Sequence, residues 1–218
     1  MENVTVLLAR ASAWVEPTDL NPRGAVFYPA LVDALVERYG FLKYPRKPED
    51  FDESKGVTFA DGRFKGAIIE QFVIFTYALL LDTRVSTQES KRLLEEALEW
   101  SSTLGINYKP GMVKRWNYLS QLTFTSKAPF TETSPALGRL ADRVTKQVGE
   151  ITGEALKYEL AIVAIDHDPL VRKHLLGRFS IQRRENTPFS EGRYFSDAPL
   201  HTDSHIKLLE QFESEISR

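Results

Sequence analysis

The chain has 218 residues, of which 42% are hydrophobic and 27% charged, and its formal net charge is −2. That is the composition of a folded globular protein, long enough for one large domain or two small ones. The absence of cysteine excludes disulfides, thiolate metal sites and cysteine nucleophiles, and so slight a charge leaves no global footprint for nucleic acid or an anionic membrane.

In chain order, Val4 to Trp14 alternates apolar and polar residues and is expected to be a strand. The N-terminus has no basic n-region and Arg10 interrupts its apolar run, so no signal peptide is expected and the default location is the cytoplasm. Pro17, Asn21, Pro22 and Gly24 read as a loop, followed by a helix from about Pro29 with Leu31, Val32, Leu35, Val36 and Tyr39 on its inner face. Residues 43–55 read as an exposed connector. Asp61-Gly62 has the composition of a tight hairpin turn between Val57-Thr58-Phe59 and Arg63-Phe64.

The nearly unbroken apolar run from Ile68 to Leu81 is shorter than the roughly 20 residues of a membrane helix and contains Glu70 and Gln71. Its aromatic and β-branched content predicts two strands turning near Thr76-Tyr77. Ser86 and Glu89 then have the spacing of a capping box. Behind them Leu93, Leu94, Ala97, Leu98, Trp100 and Leu104 share one side of a helix, and Gly105 supplies its stop.

Lys114 to Thr125 alternates again and predicts a strand with one wet side. Ser134 and Pro135 open a second long helix, with a narrow stripe of Leu137, Leu140, Ala141, Val144, Val148 and Ile151. Gly138, Thr145, Gly149 and Thr152 lie along one flank of it, where small side chains predict the close approach of another backbone, from the same subunit or from a second one. Tyr158 to Ile165 and Arg178 to Glu185 are expected to pair as strands. Residues 186–200 read as a long irregular loop, and Thr202 or Asp203 starts a C-terminal helix. These elements predict a single α+β domain over 1–218, with a possible two-lobed division near 105. The expected architecture is a mixed, mostly antiparallel sheet of about seven strands with four amphipathic helices on its faces.

Few residues suggest chemistry. Asp166, His167 and Asp168 follow an expected strand, and two carboxylates flanking an imidazole could bind a divalent metal or orient a general base. His201 and His205 have the i, i+4 spacing of a helical metal pair, although His205 also falls within an apolar stripe. The chain contains no phosphate-binding glycine loop, no Gly-x-Ser-x-Gly elbow and no His-Glu-x-x-His. In residues 186–200, Phe189, Tyr194 and Phe195 cluster beside Arg193, the composition of an interface hot spot. The alternative is that these rings tuck back as a satellite core.

The sequence therefore favours a soluble, non-enzymatic protein that needs no cofactor. It would be an assembly subunit of a homo-oligomer or larger complex, binding protein through Phe189, Arg193, Tyr194 and Phe195. The alternative is a metal-dependent hydrolase or nuclease acting through Asp166, His167 and Asp168, with His201 and His205 as further ligands.

Overall fold

A computed structural model describes residues 1–22, 28–131, 134–168, 170 and 176–217. Its strands are β1 (Glu2–Trp14), β2 (Val57–Phe64), β3 (Ala67–Ile74), β4 (Ala78–Thr83), β5 (Arg115–Thr125), β6 (Ile162–Ile165), β7 (Phe179–Arg183) and β8 (Arg193–Ala198). Its helices are α1 (Pro17–Leu20), α2 (Tyr28–Tyr39), α3 (Thr87–Ser101), α4 (Pro135–Thr152) and α5 (Thr202–Ile216). The protein is α+β. The strands form one sheet in the order β2-β3-β4-β1-β5-β8-β7-β6, eight where the sequence predicted about seven. Pairing is antiparallel at β1–β4, β2–β3, β3–β4, β6–β7 and β7–β8. The chain divides into two compact units, and β1 and β5 run through both.

One unit comprises Val6–Ser120 and Pro199–Ser204. The apolar run folds as the two expected strands, β3 and β4, closed by a bond from Phe75 N–H to Ala78 O of 2.8 Å. Leu93, Leu94, Ala97 and Leu98 of α3 are buried, as are Val32, Leu35 and Tyr39 of α2; together with Phe59, Ile69, Phe72 and Leu81 they make the core. Only half of the expected capping box forms. Ser86 Oγ accepts from Glu89 N–H at 3.1 Å, while the Glu89 carboxylate turns to Arg92.

The expected turn at Asp61-Gly62 is not there. β2 continues through both residues, with Asp61 itself at a left-handed φ of 57°, and the hairpin turns at Lys65 and Gly66, whose φ values of 48° and 86° are those of a two-residue loop. Gly62 is needed for another reason: a Cβ on it would stand 2.5 Å from the Phe41 ring. Phe41 is buried against Tyr39, Phe59 and Phe72 and cannot withdraw cheaply. The segment after Phe41 then pairs with the outer edge of β2, through Lys43 and Ala60.

Two buried polar ties hold this unit. Arg10 of β1 lies directly opposite Asp82 of β4, with Nε to Oδ1 and Nη2 to Oδ2 both at 2.8 Å, and Asp82 is sealed from solvent. This two-pronged ion pair holds the Arg10 pKa above its ordinary value. The first turns of α3 and α5 cap one another: Thr87 N–H donates to Thr202 Oγ1 at 3.0 Å, and Thr202 N–H to Thr87 Oγ1 at 2.8 Å. Each threonine thereby satisfies an amide that its partner helix leaves open.

The other unit comprises Met1–Thr5, Gln121–Ala198 and His205–Arg218. Its core is small and aromatic. Tyr194 stacks on Phe124 with ring centroids 5.5 Å apart, Phe130 meets both, and Phe212 of α5 closes on Phe130. Ile181, Leu122 and Leu209 complete it. The predicted strand from Tyr158 narrows to β6, although Ala161 O still accepts from Arg183 N–H. Residues 186–200 are not one irregular loop, since a short 3-10 turn, Phe189–Glu191, leads into β8. The alternation of that strand, inward at Tyr194, Ser196 and Ala198, is hidden because the inward Ser196 is polar and the outward Phe195 apolar.

Candidate functional site

Asp166, His167 and Asp168 lie just past β6 and are exposed. His167 N–H donates to Asp166 Oδ1 at 2.9 Å and Leu170 N–H to Asp168 Oδ1 at 2.8 Å, as in a turn, and the His167 ring places Nδ1 3.1 Å from the same Asp166 oxygen. His201 packs on the ring of Tyr118 at 3.9 Å. Among the described residues no group of three or more His, Cys, Asp or Glu side chains could hold a metal ion, and neither the Asp-His-Asp turn nor His201, which lies just before α5, with His205 forms one.

His205 is fully buried, and it makes the serine–histidine contact that sequence reasoning missed. Its Nε2 is 2.8 Å from Ser196 Oγ, and Ser196 Oγ donates its single proton to Ser180 O at 2.7 Å. The imidazole must therefore donate from Nε2, leaving Nδ1 as an acceptor with no hydrogen-bond partner among the described residues. Burial pushes the His205 pKa down to about 4. A serine activated for attack would instead give its proton to the histidine. This pair points the other way and is closed to substrate, since Ser196 and His205 are both 0% exposed.

The aromatic segment divides. Tyr194 is buried, and its hydroxyl donates to Ala128 O at 3.1 Å. Phe195 is half-buried. Phe189 and Arg193 stand outside, with the Arg183 guanidinium 4.5 Å over the Phe189 ring and Arg193 Nε 2.8 Å from Glu191 Oε2. Arg193 and Arg184 also line a polar cleft of about 270 Å³ with Asn3, Thr5, Thr123 and Thr125, where the Glu191 carboxylate already balances one of the two cations. In the other unit an apolar cavity of about 220 Å³ lies among Leu31, Leu35, Phe72, Leu94, Ala97 and Leu98. Glu53 is the one titratable residue among its described walls, so it holds no acid–base pair.

The largest unexplained feature is the outer surface of α4 and the chain that follows it. No residue of α4 is buried, although its apolar stripe is as one-sided as that of the core helix α3. Leu137 is 44% exposed, Leu140 54% and Ile151 83%. Leu156, Tyr158, Ile162 and Ile165, in the chain that follows α4, are exposed as well. The returning chain covers one flank alone. Tyr158 N–H donates to Thr145 Oγ1 at 2.8 Å, and Glu154 O lies 3.4 Å from where a Cβ on Gly149 would stand. The backbone expected to approach the small-residue flank is thus this one at Gly149, while Gly138 faces nothing within 4 Å. The sequence marks the α4 stripe clearly but carries no signal that it stays uncovered, because a core helix has the same periodicity.

Comparison with protein-family models finds no match, and no curated protein matches the chain. Among the described residues no helix is long and apolar enough to cross a membrane.

Proposed function

We propose that the chain is a non-enzymatic assembly subunit, and that the surface it offers to another protein is the open stripe of α4. The supporting observation is that Leu140 and Ile151 are more than half exposed on a helix whose stripe has the spacing of a core element. A contiguous apolar surface of this kind marks an interaction site on a folded protein. The polar groups that could do chemistry are either sealed, as at Ser196–His205, or engaged in local turns, as at Asp166–Asp168. Phe189 and Arg193 supply a second exposed aromatic–cation pair that a larger partner could reach.

The test uses the full chain at its native level in extracts of its own cells, sized by gel filtration. The wild type should run well above the monomer. The double variant Leu140→Asp/Ile151→Asp should run as a monomer, with the melting temperature of the purified protein, compared at low concentration, unchanged. A wild type that runs as a monomer in the extract overturns this function.

A further inference from the structure

We infer that the protein held by α4 is a second copy of this chain, with the two α4 helices packed antiparallel about a two-fold axis. This rests on the assembly reading above and names its partner. Once the returning chain has taken the Thr145–Gly149 flank, the strip beside it is Leu137, Leu140, Val144, Gln147 and Ile151, spaced three, four, three and four residues apart and exposed except at the half-buried Val144. That is the spacing of a two-helix seam. Arg143 and Glu150, seven residues apart, form one shoulder of the strip, and Ala141 and Val148, also seven apart, form the other.

In an antiparallel pair each shoulder meets its own counterpart. Setting Leu140 beside the partner's Ile151 and Val144 beside the partner's Gln147 brings Arg143 level with the partner's Glu150. The two-fold axis repeats this, so two reciprocal ion pairs flank the apolar layers. On the other shoulder Ala141 meets the partner's Val148, apolar against apolar. A parallel pair would set each shoulder against the opposite one, placing Arg143 and Glu150 beside Val148 and Ala141 of the second chain, with their charges unmatched. Charge and apolar patterns therefore agree in one orientation and one register, and the pattern complements itself. Both charges are available: among the described residues Arg143 makes no ion pair, and Glu150 meets only the exposed Lys146 at 3.9 Å. Such an exposed pair contributes little and exchanges readily.

The experiment uses the purified full chain in sedimentation equilibrium. The wild type should be a dimer at tens of micromolar. Arg143→Glu and Glu150→Arg should each weaken the dimer roughly tenfold or more, and the two combined should restore it. Because the chain has no cysteine, orientation can be read directly. Val144→Cys mixed with Gln147→Cys should cross-link under mild oxidation faster than either variant alone. Preferential cross-linking of Val144→Cys to itself, or no rescue by the charge exchange, overturns the antiparallel pairing. A purified wild type that stays monomeric while the extract still shows a larger particle dependent on Leu140 and Ile151 overturns the second copy and leaves the assembly function standing. Monomer in both settings overturns both.

Discussion

His205 is neutral in the folded chain near pH 7 because it is buried, and among the described residues no acceptor stands at Nδ1 for a second N–H. Burial lowers its pKa from 6.5 to about 4, whereas in the unfolded chain it titrates normally. Between those two values the unfolded state binds the extra proton. The contribution of His205 to stability is therefore full above about pH 6.5 and is lost as the pH falls toward 4. The slope from this one group approaches roughly 1.4 kcal/mol per pH unit. Denaturant midpoints at pH 7, 6 and 5 should show it in the wild type. His205→Gln keeps a donor for Ser196 without a titrating ring, so its curve should be flatter over the same range. Equal slopes in the two proteins would show that His205 is not the group responsible. Asp82 illustrates the opposite arrangement, a buried carboxylate whose two oxygens are both held by the Arg10 guanidinium beside it.

The β2–β3 hairpin shows how two glycines in one stretch are told apart. Asp61-Gly62 has the better turn composition, yet Gly66 makes the turn and Gly62 admits the Phe41 ring. Gly62→Ala should cost roughly 1–3 kcal/mol by overpacking. Combining it with Phe41→Leu should cost less than the two separate losses summed, a coupling that thermal melts of the four proteins would read. Additive losses would mean that the ring does not press on Gly62. Most of the fold was legible because periodicity survives in β1, β5, α2 and α3, while β3 and β4, buried on both faces over much of their length, were legible from aromatic and β-branched content. The turn was misplaced because the competing signal at Gly62 comes from Phe41, some twenty residues away in sequence. β8 was missed because its buried inward positions include Ser196, a hydroxyl satisfied only by Ser180 and His205. The candidate site was legible in its stripe and illegible in its exposure, since periodicity records that a face must be covered and not by what.

At the scale of the whole molecule, covering the α4 stripe with a second copy links stability to concentration. A partner that binds the folded chain alone stabilises it by about 2.7 kcal/mol at a hundredfold excess over the dissociation constant. For a chain of this length one kcal/mol moves the melting temperature by roughly 2–4 °C. The wild-type midpoint followed by far-ultraviolet circular dichroism should therefore rise by several degrees as the protein is concentrated from well below to well above the dissociation constant. Leu140→Asp/Ile151→Asp should melt at one temperature throughout. At low concentration it should match the wild type, because substitutions at exposed positions usually stay within about 0.5 kcal/mol. The three tryptophans, Trp14, Trp100 and Trp116, all belong to the unit without α4, so their fluorescence reports that unit alone. β1 and β5 each contribute residues to both units. The tryptophan midpoint should accordingly climb together with the dichroism midpoint. A dichroism midpoint that moves while the fluorescence midpoint stands still would assign the gain to one unit unfolding by itself. If neither midpoint moves with concentration, no second copy binds the folded chain.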